Sequence, residues 1–229
     1  VTGVQTCALP ILLRAVTSFS LIIAYQNIAS GVASTIHFMY PLAVALAMMF
    51  FFREKKSLLV ILAVLMSLLG AALLSLGELE AKSGNTMVGL VAACVSVFSY
   101  AGYIVGVRTT RAVQINSTAL TCYVMGLGTI FYLIGAYCTS GLQLVSDGYT
   151  WLIILGLALP ATAISNITLV QAIKYAGPTL TSILGAMEPL TAVVIGVFVF
   201  KELFTVNSAV GIILILLAVS IVVFRRQKS

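Results

Sequence analysis

The chain has 229 residues, of which 61% are hydrophobic and only 8% are charged, and its net charge is +6. A soluble domain carries roughly a quarter charged residues, so this composition excludes an ordinary soluble globule and predicts a membrane protein. The basic residues form no cluster interleaved with aromatic residues, and we therefore predict no nucleic-acid partner.

The first segment, residues 1–11, lacks a starting Met and a basic region, and Pro10 interrupts its short apolar run. These features exclude a signal peptide. The segment resembles the translation of a sequencing-library adaptor. We therefore predict that residues 1–11 are non-native and that the natural N-terminus is missing.

Eight apolar stretches follow, each close to the roughly 20 residues that a transmembrane helix requires. Short polar breaks separate them, and the longest of these breaks is residues 77–86. The predicted spans are Leu12–Ile28, Val32–Phe52, Leu58–Leu76, Met87–Val107, Ser117–Thr139, Trp151–Ile173, Pro178–Phe200 and Val206–Phe224.

The second and seventh spans are copies of each other. Pro41 aligns with Pro189, and Glu54 aligns with Glu202, at one constant offset of 148 residues. The third span then matches the eighth, and the first falls opposite the sixth, whereas the fourth and fifth have no partner. A complete repeat therefore has five spans, and the first repeat has lost two of an expected ten. The predicted units are a remnant of the first repeat with three helices (12–76), an external linker (77–86) and a second repeat with five helices (87–226).

Lysine and arginine residues predict the orientation. If the loops alternate sides, one side receives ten of these residues and the other receives only Lys82 and Lys201. Basic residues favour the cytoplasmic face, so we predict a multi-pass protein of the cell (inner or plasma) membrane with a cytoplasmic C-terminus. The ten are Arg14, Arg53, Lys55, Lys56, Arg108, Arg111, Lys174, Arg225, Arg226 and Lys228. The two repeats are then inverted, which is typical of secondary transporters with a site near the membrane midplane.

Two sequence stretches carry a resemblance to a known family. They are AGPTLTSILGAMEPLTAVVIGVFVFKE (Ala176–Glu202) and its first-repeat version ASGVASTIHFMYPLAVALAMMFFFRE (Ala29–Glu54). Both resemble the EamA-type branch of the drug/metabolite transporter superfamily, and the resemblance extends over residues 12–226. It implies ten helices in two inverted five-helix repeats, and the export or import of small metabolites, amino acids or drugs, often by proton antiport or exchange.

The predicted fold is an all-α membrane protein, an inverted-repeat helical bundle with eight transmembrane helices of an expected ten. The predicted function is secondary active transport, as an exporter or exchanger, of a small metabolite, amino acid or drug by alternating access. The expected partners are this solute, a proton as a candidate coupling ion, and the lipid bilayer. A membrane channel and a non-transporting scaffold are the alternatives.

An intramembrane enzyme is disfavoured, because the sequence has no GxSxG, HExxH, P-loop or Rossmann glycine pattern. The cysteines have neither metal-ligand nor CxxC spacing. We predict no catalytic residue, no metal and no cofactor.

Glu188 is the one acidic residue predicted at membrane depth, where a charge costs about 2.5 to 3.5 kcal/mol by insertion scales. It is a candidate proton-coupling or cation-binding carboxylate, or else a structural acid that binds a neighbouring helix. Pro189 removes a helical hydrogen bond and is expected to free the carbonyl of Gly185, as Pro41 does for His37. Both prolines are candidate helix hinges, and packing kinks are the alternative.

Further candidates for substrate binding or coupling are polar residues at similar depth. His37 is the lone histidine, and Tyr40 aligns with Glu188 in the other repeat. The fourth span has a polar stripe at helical spacing, and the sixth has a shorter one; each stripe either lines a cavity or joins helices. The first stripe comprises Ser96, Ser99, Tyr100 and Tyr103, and the second comprises Thr162, Ser165 and Asn166.

Overall fold

In the computed structural model of this protein, the regular structure of the described residues is helical. Helices suit these apolar stretches because a backbone in lipid must satisfy its own hydrogen bonds, which a helix does within one segment. The described residues are 3–28, 30–52, 58–75, 84–139, 145, 147–185, 187–198 and 206–227. Glu54, Glu202 and residues 77–83 of the predicted linker lie outside them.

The helices follow the order of the predicted spans. A 3₁₀ turn (Arg111–Gln114) joins α5 to α6, and a π-helical segment (Leu157–Ile164) joins α7 to α8. The helices are α1 (Gly3–Asn27), α2 (Ser30–His37), α3 (Tyr40–Phe51), α4 (Leu58–Ser75), α5 (Thr86–Thr109), α6 (Ser117–Thr139), α7 (Gly148–Gly156), α8 (Ser165–Ala176), α9 (Pro178–Leu184), α10 (Met187–Phe198) and α11 (Val206–Gln227).

Several helical stretches are long and apolar enough to cross a membrane. Within the described ranges these are Ala8–Asn27, Val32–Phe51, Thr86–Thr109, Ser117–Ile134 and Gly148–Ala176. Shorter apolar helices, Leu58–Gly70 and Ala209–Ile221, lie inside the third and eighth predicted spans. An all-α membrane protein is therefore confirmed, and the eight spans of an expected ten stay a prediction.

The first helix begins earlier than its sequence predicts. α1 begins at Gly3 rather than near Leu12, and it contains Pro10 within its length. Pro10 and Ile11 are buried. The apolar residues on both sides of Pro10 continue one helix despite the lost backbone hydrogen bond. The adaptor origin of residues 1–11 stays a prediction.

Two predicted spans are interrupted rather than continuous. The Val32–Phe52 stretch divides between His37 and Tyr40, and the Pro178–Phe200 stretch divides between Leu184 and Met187. In each case a proline lies in the first turn of the second piece. Proline is best tolerated there, because the first backbone N–H groups of a helix have no partner within that helix.

Close contacts between particular helices define the packing of the bundle. α1 lies along α5, α4 lies along α11, and α3 packs against both α5 and α9. α4 and α11 lie in the third and eighth predicted spans, which the sequence alignment predicts to be equivalent. They approach closely at Gly70, where a Cβ atom would lie 2.7 Å from Ile215 Cγ1 and 2.8 Å from the carbonyl oxygen of Gly211. Small residues permit such close contact between membrane helices.

The connection between α8 and α9 directs the chain back toward the centre of the bundle. Gly177 ends α8 with a φ of 87°, a conformation that favours glycine. Pro178 then begins α9. This turn brings α9 against α3, α8 and α11, so that the break between α9 and α10 lies near the break between α2 and α3.

Candidate functional site

A cavity of about 640 Å³ lies where the two interrupted helices meet. Its walls come from α1, α2, α5, the π-helical segment, α8, α9 and the start of α10. Polar and charged side chains from both repeats line it. They are Arg14, Tyr25, Ser34, His37, Tyr100, Thr162, Ser165, Asn166, Thr168, Thr181 and Glu188.

Arg14 is the main residue of this site that the sequence analysis missed. We counted it with the basic residues of the cytoplasmic side, near the start of the predicted span Leu12–Ile28, but it lies within the apolar stretch Ala8–Asn27 and lines the cavity. Because α1 begins well before Leu12, Arg14 lies deeper in the helix than the sequence predicts. The available signal was that α1 contains no other charged residue.

Three tyrosine side chains form a cluster that contacts the Arg14 guanidinium and the imidazole of His37. The rings of Tyr40 and Tyr100 pack edge to face with centroids 4.7 Å apart, and Tyr103 stacks on Tyr100 at 6.0 Å. His37 lies 5.6 Å from Tyr40 and 5.3 Å from Tyr100 between ring centroids. Such pairs add about 0.5–1.5 kcal/mol beyond their buried area. The cluster therefore forms a rigid wall that joins α2, α3 and α5.

Arg14 is held between this wall and α8. Its Cζ atom lies 5.2 Å from the ring centroid of Tyr100 and 5.8 Å from that of Tyr103. Its terminal nitrogen donates to Asn166 Oδ1 at 3.3 Å, and Asn166 Nδ2 donates to the carbonyl of Thr162 at 2.7 Å. Cation–π contacts and this hydrogen bond keep a cation inside an apolar stretch.

Two contacts of serine hydroxyl groups join α5 to α1 and α2. Thr17 Oγ1 lies 2.9 Å from Ser99 Oγ, and His37 Nδ1 lies 3.0 Å from Ser96 Oγ. The Ser96 hydroxyl donates its proton to the carbonyl of Ala93 at 2.6 Å. It can therefore accept a hydrogen bond from Nδ1 of His37.

Glu188 lies in the first turn of α10, where it is exposed to the cavity. Its backbone N–H donates to the carbonyl of Gly185 at 3.0 Å. The prediction that Pro189 leaves this carbonyl free is therefore wrong, because the tight turn between α9 and α10 gives it another donor. Among the described residues, Glu188 and Arg14 form no direct ion pair although they share the cavity.

The second polar stripe begins in the π-helical segment with Thr162 and continues into α8. Pro160 lies inside this segment, and Thr162 Oγ1 donates to the carbonyl of Leu157, five residues earlier, at 2.9 Å. A π-helical turn is wider than an α-helical turn, which agrees with a hydrogen bond to the carbonyl five residues earlier. Such turns occur frequently at functional sites. Thr162, Ser165 and Asn166 all line the cavity.

The structure divides the other predicted site residues into two groups. Lining residues of the cavity include Glu188, His37, Tyr100 and Asn166. Buried residues behind that lining are Tyr40, Ser96, Ser99 and Tyr103, with exposed fractions of 6% or less. Pro41 is buried at the start of α3, and Pro189 lies in α10, with its side chain outside the described set. Their roles as hinges stay predictions.

The family model described as the EamA-like transporter family matches residues 87–224. The chain belongs to the EamA-like transporter family. A solved crystal structure of another protein is similar over the whole of this chain, with a TM-score of 0.85 and 17% identity, and the chain covers 79% of that protein. At this identity the likeness shows the fold alone. No curated protein matches the sequence.

Membership of this family confirms the resemblance that the sequence carries. Members are membrane transporters of small solutes rather than enzymes, and this chain is a multi-pass membrane protein. Among the described residues, no group of three His, Cys, Asp or Glu side chains could hold a metal ion.

Proposed function

We propose that this protein is a secondary active transporter that moves a small solute across the cell membrane by alternating access, as an exporter or exchanger. The cavity between the two interrupted helices is its substrate site. The observation that carries this proposal is the cavity's position, because it lies at the breaks of the equivalent helices of two repeats. Secondary transporters use discontinuous helices near the midplane in this way.

The lining of the cavity follows the internal repeat. Arg14 and Thr162 both line it, as do Leu21 and Leu169, and the members of each pair are separated by the same 148 residues that relate the two prolines. A site lined by both repeats can change its access when one repeat moves against the other.

The size and chemistry of the cavity suit a small metabolite. Ligand pockets are typically about 300–1,000 Å³, and this cavity of about 640 Å³ is within that range. Among the described residues, its lining includes the cation Arg14 and the acid Glu188. Charges inside a membrane are costly and usually serve function. We propose that Glu188 carries the coupling proton.

A cavity-filling variant tests this proposal in proteoliposomes. Ser165 lines the cavity and is exposed to it, so Ser165→Trp should block flux of any transported solute. Leu152→Trp is the matched control, because Leu152 is 68% exposed on α7 and does not line the cavity. Saturable flux with counterflow in the wild type and the control, but none in Ser165→Trp, is the expected result.

Other outcomes would favour the alternatives. Flux that is not saturable and shows no counterflow would indicate a channel. Absence of flux for a broad panel of small amino acids, nucleosides, organic acids and drugs would indicate a scaffold. Equal flux through Ser165→Trp and the wild type would show that the solute does not pass through this cavity.

A further inference from the structure

We propose that Arg14 binds a carboxylate group of the transported solute, so that the cavity selects small carboxylates. This inference rests on the proposed function, because it requires the solute to occupy the cavity. It goes further by assigning the chemical group that is recognised and the residue that recognises it.

The first observation is that the protein satisfies little of the hydrogen-bonding capacity of Arg14. A guanidinium carries several N–H donors in a fixed planar fork and has no acceptor. Within the described part of the chain, Arg14 donates only to Asn166 Oδ1, and its buried Nε has no partner. An unsatisfied charged donor in an apolar bundle is costly, so a ligand that accepts from it gains a large favourable contact.

The second observation is that the guanidinium is already positioned. Tyr100 and Tyr103 hold its position by cation–π contact, and these rings are only 6% and 1% exposed. Asn166 on α8 accepts a hydrogen bond from it and is itself 6% exposed. A cation held by aromatic rings and one amide pays little entropy on binding a ligand. Its planar donors match a carboxylate in bidentate geometry.

The third observation concerns charge. Glu188 shares the cavity without pairing directly with Arg14 in the described structure, so the lining provides one basic and one acidic side chain. A monoanionic carboxylate adds one negative charge, which a proton on Glu188 or an ammonium group on the solute balances. A dianionic phosphate would leave an excess negative charge in a low-dielectric site. The charge balance therefore favours carboxylates.

The test measures thermal stabilisation of the full chain in detergent by matched pairs of compounds. Each pair is a carboxylate and the corresponding carboxamide, which lacks the carboxylate charge: nicotinate with nicotinamide, and leucine with leucinamide. We expect at least one carboxylate to stabilise the wild type more than its amide does. Leucine carries an ammonium group and nicotinate does not, so the two pairs show which group balances the charge.

Variants assign the preference to Arg14. Arg14→Gln should weaken binding of the carboxylate by about 10- to 100-fold, which corresponds to the loss of a charge-assisted hydrogen bond. Arg14→Lys keeps the charge but loses the planar fork, so we expect an intermediate affinity. Arg108→Gln is the matched control, because Arg108 is exposed at the end of α5 and donates to the Lys174 carbonyl at 2.7 Å, outside the cavity.

Two results would overturn the inference. One is that neither carboxylate stabilises the protein more than its amide; the other is that the preference persists unchanged in Arg14→Gln. If Arg14→Gln does not yield folded protein, unchanged affinity in Arg14→Lys overturns the inference in its place. Saturable flux of neutral solutes that Ser165→Trp blocks would leave the proposed function standing while the carboxylate site fails.

Discussion

The two interrupted helices each resume shortly before a proline, but the residues that precede these prolines have different surroundings. In the first repeat, Tyr40 is 2% exposed and packs against Tyr100 on α5. At the equivalent position of the second repeat, Glu188 is exposed to the cavity. A proline follows each break, and the neighbouring helices determine whether the residue before that proline is packed or exposed to the cavity.

This difference suggests that the two breaks have different roles. Tyr40, beside the break between α2 and α3, belongs to a packed aromatic cluster. Glu188, beside the break between α9 and α10, has a carboxyl group that is able to exchange a proton or to bind a ligand. Three variants probe the contact between the breaks, the packed wall, and the edge of the bundle.

The largest effect is expected where the two breaks touch. Gly185 has a helical φ of −59°, yet a Cβ atom there would collide with Tyr40 Oη and lie 3.1 Å from Tyr40 Cζ and from the Ser182 carbonyl oxygen. Gly185→Ala should therefore lower the free energy of unfolding by about 1–3 kcal/mol through overpacking. Thermal unfolding in detergent measures this change.

The hydroxyl of Tyr40 should account for part of that cost. Tyr40→Phe removes the colliding atom, so the double variant should recover some of the stability that Gly185→Ala loses. Gly106→Ala is the control, because nothing lies within 4 Å of a Cβ atom at Gly106, and it should be neutral or slightly stabilising. Additive effects of the two substitutions would contradict direct contact between the breaks.

A smaller effect is expected in the packed wall. Ser96→Ala removes the 3.0 Å contact with His37 Nδ1 and should lower the free energy of unfolding by about 1 kcal/mol. Ser220→Ala is the matched control, because its hydroxyl donates to the carbonyl four residues earlier on an exposed face. Equal melting temperatures for Ser96→Ala and the wild type would show that the His37–Ser96 contact contributes nothing.

The smallest effect is expected at the exposed start of α7. Asp147 accepts from Thr150 N and Thr150 Oγ1, both at 2.9 Å, and the backbone hydrogen bond from Thr150 holds the pKa of Asp147 below its usual value. A lowered pKa in the folded state means that the cap stabilises the helix above the unfolded pKa of about 3.9 and loses this effect as the pH falls through the lower folded value.

The single tryptophan reports on that cap. Trp151 lies one helical turn after Asp147, and its Nε1 donates to the carbonyl of Val145 at 3.0 Å. We expect the wild-type fluorescence to change on acidification below about pH 4, and the change to be absent in Asp147→Ala. An identical acid transition in both proteins would assign it to another group.

Much of this architecture could be predicted from the sequence, because it depends on patterns among residues that are close together in the chain. Apolar stretches predict the helices, and prolines at a constant offset mark two equivalent positions as candidate hinges, although the sequence predicts continuous spans there. The Tyr40 and Glu188 pair also follows from that alignment. These features depend on residues close together in the chain or on a repeat within it.

Other features depend on which helices become neighbours, and the sequence does not contain that information in a local form. Tyr100 and Tyr103 lie on one face of α5, yet Tyr100 lines the cavity and Tyr103 is buried behind it. Arg14 was missed because its depth depends on where α1 begins, and the apolar run around Pro10 does not mark that point.

The most direct test of the central claim is pH-gradient-driven flux in proteoliposomes that contain Glu188→Gln. Glutamine keeps the size and loses the exchangeable proton, so the account predicts that gradient-driven flux is abolished while the protein stays folded. Asp147→Asn is the control, since it neutralises an exposed acid outside the cavity, and its flux should match the wild type. Gradient-driven flux at the wild-type rate in Glu188→Gln would contradict the assignment of the coupling group to this cavity.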